Sequence, residues 1–523
     1  MGQIRLGRPA TGDLVAGLSV ALVLIPQSVA YAVLAGMRPA QGLIVAAVAT
    51  IAAAPFASSP WLQTGPVAIT ALLTFGALST MAMPGTNQYV ALGALLALLV
   101  GAIRIAIGLA RAGALAYFMS QPVLAGFTPA AAIVIAASQL PAALGVERGD
   151  GGLVRGALMA VAQVGAWNPT AIVLSVLAIV VVVAARWIHP LVPGVLIVVV
   201  GALVYVAVAG YDGAVVGPIP DVVPIPSLAL PWSAAGSLLV AAAVIALIGF
   251  AEASAIARVF AAETRTRWDA DREFVSQGVA NVAAGVFGGF PAGGSFSRSA
   301  LNRAAGARTV WSGAITGVAV LAFLPLAGLL EALPMAVLAA IIIAAVAKLA
   351  DIRPLLRLRT LSRMQFGIAA GTFVLTIVLA PRIQWAVVLG VLAAVVAHLR
   401  RELMIDVSVW TEDTTLHLRP HGVLYFGSAN ALENRFLALL HEHPDVDHLV
   451  VHFDSLGRVD VTGAMVIRGL CERAAGAGVR TTLTDFTPPS RKIVSRVLAG
   501  CPQARLEDPP AGSSPDQDHP APR

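Results

Sequence analysis

Long apolar segments separated by short polar links make up residues 14–399. A helix needs about 17 to 25 mostly apolar residues to cross the hydrocarbon core of a bilayer. The pattern predicts spanning helices at 14–35, 40–56, 66–80, 89–110, 121–140, 170–186 and 191–209, and again at 235–259, 274–288, 296–305, 309–330, 334–350, 364–380 and 383–399. The fourteen segments form two groups of seven, and an odd number per group inverts the second group relative to the first.

The third segment of each group is short and follows residues that interrupt a helix. Serine, glycine and proline occupy much of 58–66 before the first of these segments, and glycine and proline occupy much of 285–294 before the second. Irregular backbone at membrane depth is tolerated only where protein or a water-filled cavity surrounds it. Corresponding interrupted segments in two halves are typical of a transporter site formed by an inverted repeat.

The helix predicted to restart near Ser295 carries Ser297, Arg298 and Ser299 in its first turn. Free backbone N–H groups and the positive end of the helix dipole favour an anion there. An arginine at membrane depth is costly and usually faces a pathway, so Arg298 is predicted to bind the anion. The alternative is structural: Arg298 would cap carbonyls or reach a neighbouring span, and the serines, including Ser295, would be ordinary N-caps.

The composition excludes an ordinary soluble enzyme. Of 523 residues 58% are hydrophobic and 12% charged, with a mean hydropathy of +0.83, which indicates a polytopic α-helical membrane protein. The net charge of +6 comes from arginines in short links, a topology pattern that argues against nucleic acid as a partner. With the N-terminus inside, fourteen arginines fall on inner links and three on outer ones: Arg148, Arg155 and Arg382. Both termini are predicted to be cytoplasmic, in the plasma (inner) membrane.

The pattern changes at Met404, where apolar and polar residues alternate as in strands. Residues 430–441 look helical, and HLVVHF at 448–453 is typical of a buried strand. The predicted domains are a cytoplasmic N-terminus (1–12), a transmembrane domain (13–400, with repeats about 13–209 and 235–400), a soluble α/β domain (404–506) and a disordered tail (507–523). The two cysteines imply no disulfide framework.

Five motifs together identify a family. They are GLSVALVLIPQSVAYAVLAGM, LQTGPVAITALLT, QPVLAGFTPAAAIVIAASQLP, GFAEASAIARVFA and GGFPAGGSFSRSALNRAAGARTVWSG. With them the chain resembles, from Asp13 to about Leu506, the SulP family of anion permeases and exchangers, which includes sulfate permeases, bicarbonate transporters and the motor protein prestin. The resemblance implies fourteen spans as a seven-plus-seven inverted repeat with core and gate domains (UraA-like), a cytoplasmic STAS domain, and homodimers.

The resemblance also implies an anion site between the N-termini of the third and tenth helices. Its residues would be Gln27, Tyr31, Val67, Ala68, Phe296, Ser297 and Arg298. Tyr31 stands where many relatives have phenylalanine, which adds a hydroxyl. The alternative for Gln27, which follows Pro26, is that it satisfies carbonyls freed by the proline.

Glu252 lies on the eighth predicted span, where bacterial relatives often have an acid. No basic residue lies one helical turn away in the sequence, and Glu252 is predicted to couple transport to H+ or Na+. The alternative is a hydrogen bond that braces the eighth helix against the tenth.

HFDSLGRVDVTGAMVI resembles the STAS signature, and Thr462 occupies the position that soluble STAS relatives phosphorylate. Val461 replaces the serine usual beside it, so a scaffold role without phosphorylation is the main expectation and a regulatory Thr462 the alternative. Four of the nine histidines form the one histidine cluster of the sequence, which fits no standard zinc pattern and is interpreted as solvated surface residues: His441, His443, His448 and His452.

The predicted function is secondary active transport of small anions by alternating access: sulfate, bicarbonate, chloride or a dicarboxylate such as fumarate. The sequence contains no Walker loop, zinc helix or nucleophile elbow, so neither an enzyme nor a cofactor is expected. Three alternatives remain: an uncoupled anion channel or voltage-responsive motor of the same fold, a nucleobase permease of the related fold, and a membrane-anchored signalling protein that acts through its STAS domain.

Overall fold

The computed structural model describes residues 8–117, 120–147, 152–189, 191–219, 224–499, 501–502 and 504–507. Residues 1–7 of the predicted N-terminal segment, Arg148, and residues 508–523 of the predicted tail lie outside this part of the chain. The chain divides into two compact units, Met1–Ala394 and Val395–Arg523.

The first unit is helical, and each of the fourteen predicted segments overlaps a helix. The helices of the first half are α1 (Thr11–Leu34), α2 (Pro39–Ala53), α3 (Ala68–Leu78), α4 (Asn87–Leu109), α5 (Gln121–Leu144), α6 (Leu153–Ala162), α7 (Pro169–Ile188) and α8 (Gly194–Ala209). Those of the second half are α9 (Ala235–Thr264), α10 (Ala270–Val286), α11 (Phe296–Ala304), α12 (Trp311–Phe323), α13 (Met335–Val346), α14 (Arg353–Leu361), α15 (Arg363–Val378) and α16 (Ile383–Glu402).

The apolar pattern accounts for most of these helices. Within the described residues, eight helices are long and apolar enough to cross a membrane, and five apolar helices are shorter. The pattern missed α6 and α14, because each is short and carries exposed arginine in place of a continuous apolar run. Each of them follows the fifth predicted span of its half and precedes the sixth.

Glycine allows α4 and α10 to pack backbone against backbone. A Cβ added at Gly278 would lie 2.9 Å from the carbonyl oxygen of Gly101, and one added at Gly285 would lie 2.6 Å from that of Ala94. Small residues at such contacts are typical of helix packing in membranes, where close van der Waals contact replaces the hydrophobic effect. This contact fixes α10 behind both interrupted segments.

Two short strands cross where the helices are interrupted. β1 (Thr64–Gly65) pairs antiparallel with β2 (Gly293–Gly294), with Thr64 opposite Gly294 and Gly65 opposite Gly293. The helices α3 and α11 begin directly afterwards, at Ala68 and Phe296. A Cβ at Gly294 would lie 2.9 Å from the Cβ of Ala253, so only glycine fits this approach to α9.

The second unit is an α/β domain with its own core. Its elements are β3 (Asp406–Glu412), β4 (Thr415–Leu424), α17 (Ala429–Glu442), β5 (His448–His452), β6 (Leu456–Val459), α18 (Val461–Gly476), β7 (Arg480–Thr484), α19 (Pro488–Val497) and β8 (Ala504–Leu506). The sheet order is β3-β4-β5-β7-β8, parallel except for β3, and β6 pairs with β4. Alternate residues of β4 and β5 are buried, which confirms the predicted strand patterning. Cys471 and Cys501 are buried, and neither forms a disulfide within the described part of the chain.

Candidate functional site

Hydrogen bonds join the two strands to the helix that follows β2. The N–H of Ser295 donates to the carbonyl oxygen of Gln63 at 3.0 Å. The N–H of Gln63 donates to Oγ of Ser299 at 2.9 Å. Because β1 and β2 are paired, the N-termini of α3 and α11 are held beside each other, with their first-turn N–H groups available to an anion.

Arg298 lies at this crossing with its side chain almost completely buried, at 1% exposure. Its Nη1 donates to Oε1 of Gln27 at 3.5 Å, a long hydrogen bond, and a Cβ added at Gly65 would lie 3.5 Å from Nη2. Its Nε and Nη2 have no hydrogen-bond partner among the described residues. Arg298 therefore caps no carbonyl in the described part of the chain, and its one free edge holds two N–H donors.

The other predicted site residues divide into buried and exposed sets. Gln27, Tyr31, Val67 and Ala68 are buried, and Tyr31 interacts electrostatically with Arg298. Val67 immediately precedes α3 and Ala68 is its first residue. The first two residues of α11 are exposed: Phe296, whose ring contacts that of Phe260 on α9 with centroids 6.5 Å apart, and Ser297.

The serines around α11 do not act as ordinary N-caps. Ser295 occupies the N-cap position of α11, but its side chain makes no capping hydrogen bond. Its Oγ lies 3.4 Å from that of Ser297, and the Oγ of Ser299 accepts from the backbone of Gln63. The N-cap alternative is thus wrong for Ser295 and Ser299, because Ser299 is used to join the two interrupted segments.

Glu252 lies on α9, half-buried, and interacts electrostatically with Arg298. No hydrogen bond joins Glu252 to another residue in the described part of the chain, so the predicted brace between helices is not formed. The sequence argument considered only neighbours along α9. Arg298 comes near because α11 crosses α9.

Arg104 on α4 is a buried arginine that the sequence analysis missed. Its side chain is completely buried. Its Nε donates to the carbonyl oxygen of Ala246 at 3.1 Å, Nη2 to that of Ile245 at 3.1 Å, and Nη1 to that of Ala292 at 3.0 Å. A lone arginine inside an apolar span was the signal that could have found it. Arg104 has the carbonyl-capping role considered for Arg298, and it holds α9 to the segment before β2.

A buried polar stripe on α10 completes the support of the site. Glu273 accepts from the N–H groups of Ser58 and Ser59, at 3.0 and 3.2 Å. Two further side chains of the stripe bind the strand segments: Gln277 Nε2 donates to Thr64 Oγ1 at 2.6 Å, and Asn281 exchanges two hydrogen bonds with the backbone of Ala292. The four-residue spacing of these three side chains places them on one face of α10. One helix therefore holds both interrupted segments.

The sulfate permease family matches residues 11–372 of this chain, and the STAS domain matches residues 406–498. The chain belongs to the sulfate permease family. A protein named as a probable sulfate transporter of Mycobacterium tuberculosis is 36% identical over 393 residues, which cover 73% of this chain and 68% of that protein. The chloroplastic sulfate transporter 4.1 of Arabidopsis thaliana is 33% identical over 401 residues, which cover 74% of this chain and 58% of that protein.

Solved structures of two anion transporters have the same fold. The murine Solute Carrier 26 family member A9, in an inward-facing state, superposes with a TM-score of 0.84 at 18% identity, covering 96% of this chain and 90% of that one. The transmembrane domain of the cyanobacterial bicarbonate transporter BicA superposes with a TM-score of 0.62 at 24% identity, covering 73% of this chain and 97% of that one. This family member is therefore a multi-pass membrane protein with a transporter fold, as predicted, and its relatives are transporters rather than enzymes.

In the STAS domain, the predicted regulatory residue lies at the start of α18. Thr462 is exposed, and the preceding Asp460 caps the helix by accepting from the N–H of Gly463 at 2.7 Å. The hydroxyl is thus accessible beside a carboxylate. Phosphorylation of Thr462 stays a prediction.

The interpretation of the histidines as solvated surface residues is wrong for two of the four. His448 Nε2 lies 2.9 Å from Oγ1 of Thr482, and His452 bridges Asp485 Oδ2, at 2.7 Å, and the ring of His417, at 3.1 Å. His441 is exposed and His443 lies just past the end of α17. The sequence could not place His417 beside His452, because the two residues meet only through the pairing of β4 with β5.

His417 is expected to make the STAS domain less stable at acid pH. Burial lowers the pKa of His417, as do His452 and His448, against the opposite effect of Glu412. Below about pH 6.5 the unfolded chain binds a proton that the folded His417 resists, so the free energy of unfolding falls as the pH decreases further. Chemical denaturation of residues 404–507 between neutral and acid pH should show a smaller decrease for His417→Phe, which keeps the stacking on Trp410.

The exposed His441→Phe variant controls for the loss of one histidine. If His417→Phe loses stability with acid as steeply as the wild type, His417 has no part in the effect.

Proposed function

We propose that this protein is a secondary active carrier of small oxyanions that works by alternating access, with the anion bound between the N-termini of α3 and α11. One observation carries the proposal: the pairing of β1 with β2 brings both helix N-termini to the buried, unpartnered edge of Arg298. Two helix dipoles and one guanidinium then offset the desolvation of an anion.

The free edge of Arg298 favours an oxyanion over chloride. Its Nε and Nη2 are two parallel donors, which match two oxygens of one sulfate, bicarbonate or carboxylate group. A monatomic ion lacks the second acceptor. The relatives named as sulfate transporters in Mycobacterium tuberculosis and Arabidopsis thaliana, and the bicarbonate transporter with the same fold, carry oxyanions.

The remaining predicted site residues have distinct proposed roles. Gln27 holds Nη1 of Arg298 and so turns the free edge toward the anion. Tyr31 offers a hydroxyl near the guanidinium, while Val67 and Ala68 present the start of α3. On α11, Ser297 supplies a hydroxyl and Phe296 an apolar surface.

The contacts between helices support a core that moves against a gate. In the proposed core, α4 contacts α9 and α10, and α2 contacts α12. In the proposed gate, α5 contacts α13 and α15, and α7 contacts α13. The proposed topology has fourteen spans in two inverted repeats of seven, with both termini in the cytoplasm and the protein in the plasma membrane. The STAS domain is proposed to be a scaffold in a homodimer.

Glu252 is proposed to couple transport to a proton. A protonated Glu252 leaves the positive charge of Arg298 uncompensated, so proton and anion binding favour each other. One coupled proton converts a gradient of one pH unit into about tenfold greater accumulation of the anion. Proteoliposome uptake of labelled sulfate, bicarbonate and fumarate should therefore increase with an inward proton gradient, and Glu252→Gln should lose that response.

Glu263→Gln is the matched control, because Glu263 lies on the same helix but pairs with Arg303 outside the site. A Glu252→Gln variant that keeps the full proton response removes Glu252 from coupling, and a response of the wild type to a sodium gradient alone makes Na+ the coupled ion. Ohmic, non-saturating anion current without any coupling would favour a channel over the proposed carrier.

A further inference from the structure

The helices α6 and α14 occupy equivalent links in the two halves, yet they differ in charge. Residues 153–162 contain one arginine, Arg155, and no acid, for a charge of +1. Residues 353–361 contain Arg353, Arg357 and Arg359 and no acid, for a charge of +3, and Arg363 follows at the start of α15. The two halves therefore share the helix but not its basic character.

The three arginines of α14 and Arg363 at the start of α15 are exposed, and among the described residues only Arg353 pairs with a carboxylate. Arg353 is 84% exposed and pairs with Asp351 at a distance of 3.8 Å. Arg357, Arg359 and Arg363 are also exposed, and no ion pair joins them to another residue in the described ranges. Four exposed basic groups in this short segment give a positive charge that attracts phosphate-bearing anions.

Apolar side chains lie exposed beside the arginines. Leu355 is buried, but Ile352, Leu356 and Leu361 are 42%, 48% and 77% exposed. Arg353, Arg357 and Leu361 follow at four-residue spacing and so share one face of the helix. Exposed leucine beside exposed arginine is typical of a helix that lies in the boundary between headgroups and acyl chains.

The place of α14 in the chain, directly before a predicted span, is consistent with a helix at the membrane surface. It is separated from α15 by a single residue, Ser362, and it contacts α15 and α5. Beside the end of a span, exposed leucines and arginines are expected to meet the boundary between lipid headgroups and acyl chains.

We propose that α14 is a docking surface for anionic lipid headgroups, with its arginines binding the phosphates and its exposed leucines inserted among the acyl chains. The assignment to the cytoplasmic leaflet rests on the proposed topology, because a link after twelve spans lies on the side of the N-terminus. Lipid binding itself does not depend on the anion site, so the failure of one proposal leaves the other intact.

The test compares lipid selection by the full-length protein in nanodiscs of phosphatidylcholine with and without phosphatidylglycerol. The wild type should retain phosphatidylglycerol preferentially, as measured by mass spectrometry of bound lipid and by a higher thermal unfolding midpoint. The variant Arg353→Gln/Arg357→Gln/Arg359→Gln should lose about fivefold in preference per arginine. The corresponding triple lysine variant should keep most of it, because lysine retains the charge.

Arg155→Gln on α6 is the matched control and should change nothing. Should the triple glutamine variant fail to insert, the wild type alone decides: its preference must weaken as ionic strength increases. The proposal is overturned if the triple glutamine variant selects phosphatidylglycerol as the wild type does, or if Arg155→Gln lowers the preference as much as the triple variant. It is also overturned if the preference of the wild type does not change with ionic strength. Equal stabilisation by free inorganic phosphate would also overturn it, since the surface would then select soluble phosphate rather than lipid.

Discussion

Replacement of Arg298 with alanine is expected to reduce oxyanion uptake to the level of protein-free liposomes while the protein still inserts and folds. The substitution removes two charge-assisted donors and a positive charge from a buried site. Hydrogen bonds to charged groups contribute about 1.5–3 kcal/mol each, so the apparent affinity should fall on the order of a hundredfold or more. Proteoliposome uptake over a range of sulfate concentrations measures this.

Arg303→Ala is the matched control, because Arg303 lies on the same helix but pairs with Glu263 and stacks over Phe260. It should leave uptake close to the wild type. Arg298→Lys should recover part of the sulfate uptake. It should discriminate less strongly than the wild type between sulfate and chloride, because one ammonium group replaces two parallel donors. Unchanged uptake by Arg298→Ala would remove Arg298 from the site.

Replacement of Arg104 with leucine is expected to destabilise the protein by about 1–3 kcal/mol and to abolish uptake. It removes one donor from each of the carbonyl groups of Ile245, Ala246 and Ala292, and Ala292 keeps only its hydrogen bond from the side chain of Asn281. Ala292 directly precedes β2, so we expect the loss of this bond to shift the start of α11 and with it Arg298. Thermal unfolding in detergent and uptake in proteoliposomes measure the two effects.

The exposed Arg382→Leu variant controls for the loss of one arginine and should unfold like the wild type. Arg104→Lys should be intermediate, because an ammonium reaches fewer of the three carbonyl oxygens. A stable, active Arg104→Leu variant would show that these hydrogen bonds are dispensable for the crossing.

The apolar pattern predicted the helices because membrane spans are selected for length and hydropathy, which are local properties. The glycines and prolines before α3 and α11 predicted two interruptions for the same reason. The pairing of Thr64 with Gly294 could not be predicted, since it joins residues 230 positions apart through the packing of the whole unit. The proximity of Glu252 to Arg298 depends in the same way on helix crossing.

The roles of the two buried arginines could not be distinguished from the sequence. Arg104 and Arg298 are the same residue type inside apolar sequence, and both are almost fully buried. Arg104 has all three guanidinium nitrogens bound to carbonyl oxygens, whereas two of the three in Arg298 have no hydrogen-bond partner among the residues that the structure describes. The predicted start of a helix just before Arg298 indicated that this arginine binds an anion. Only the structure shows that the guanidinium of Arg104 is fully hydrogen-bonded and that of Arg298 is not.

The polar stripe of α10 has a consequence for the transport cycle. Glu273 and Gln277 bind the segment before α3, and Asn281 binds the segment before α11. The N-termini of both helices are therefore attached to α10. In the proposed alternating-access cycle, we therefore expect the two segments to move together and the anion site to keep its shape. The affinity for the anion would then be the same whether the site faces one side of the membrane or the other. Any direction of net transport would come from the gradient of the coupled ion and not from a change in the site.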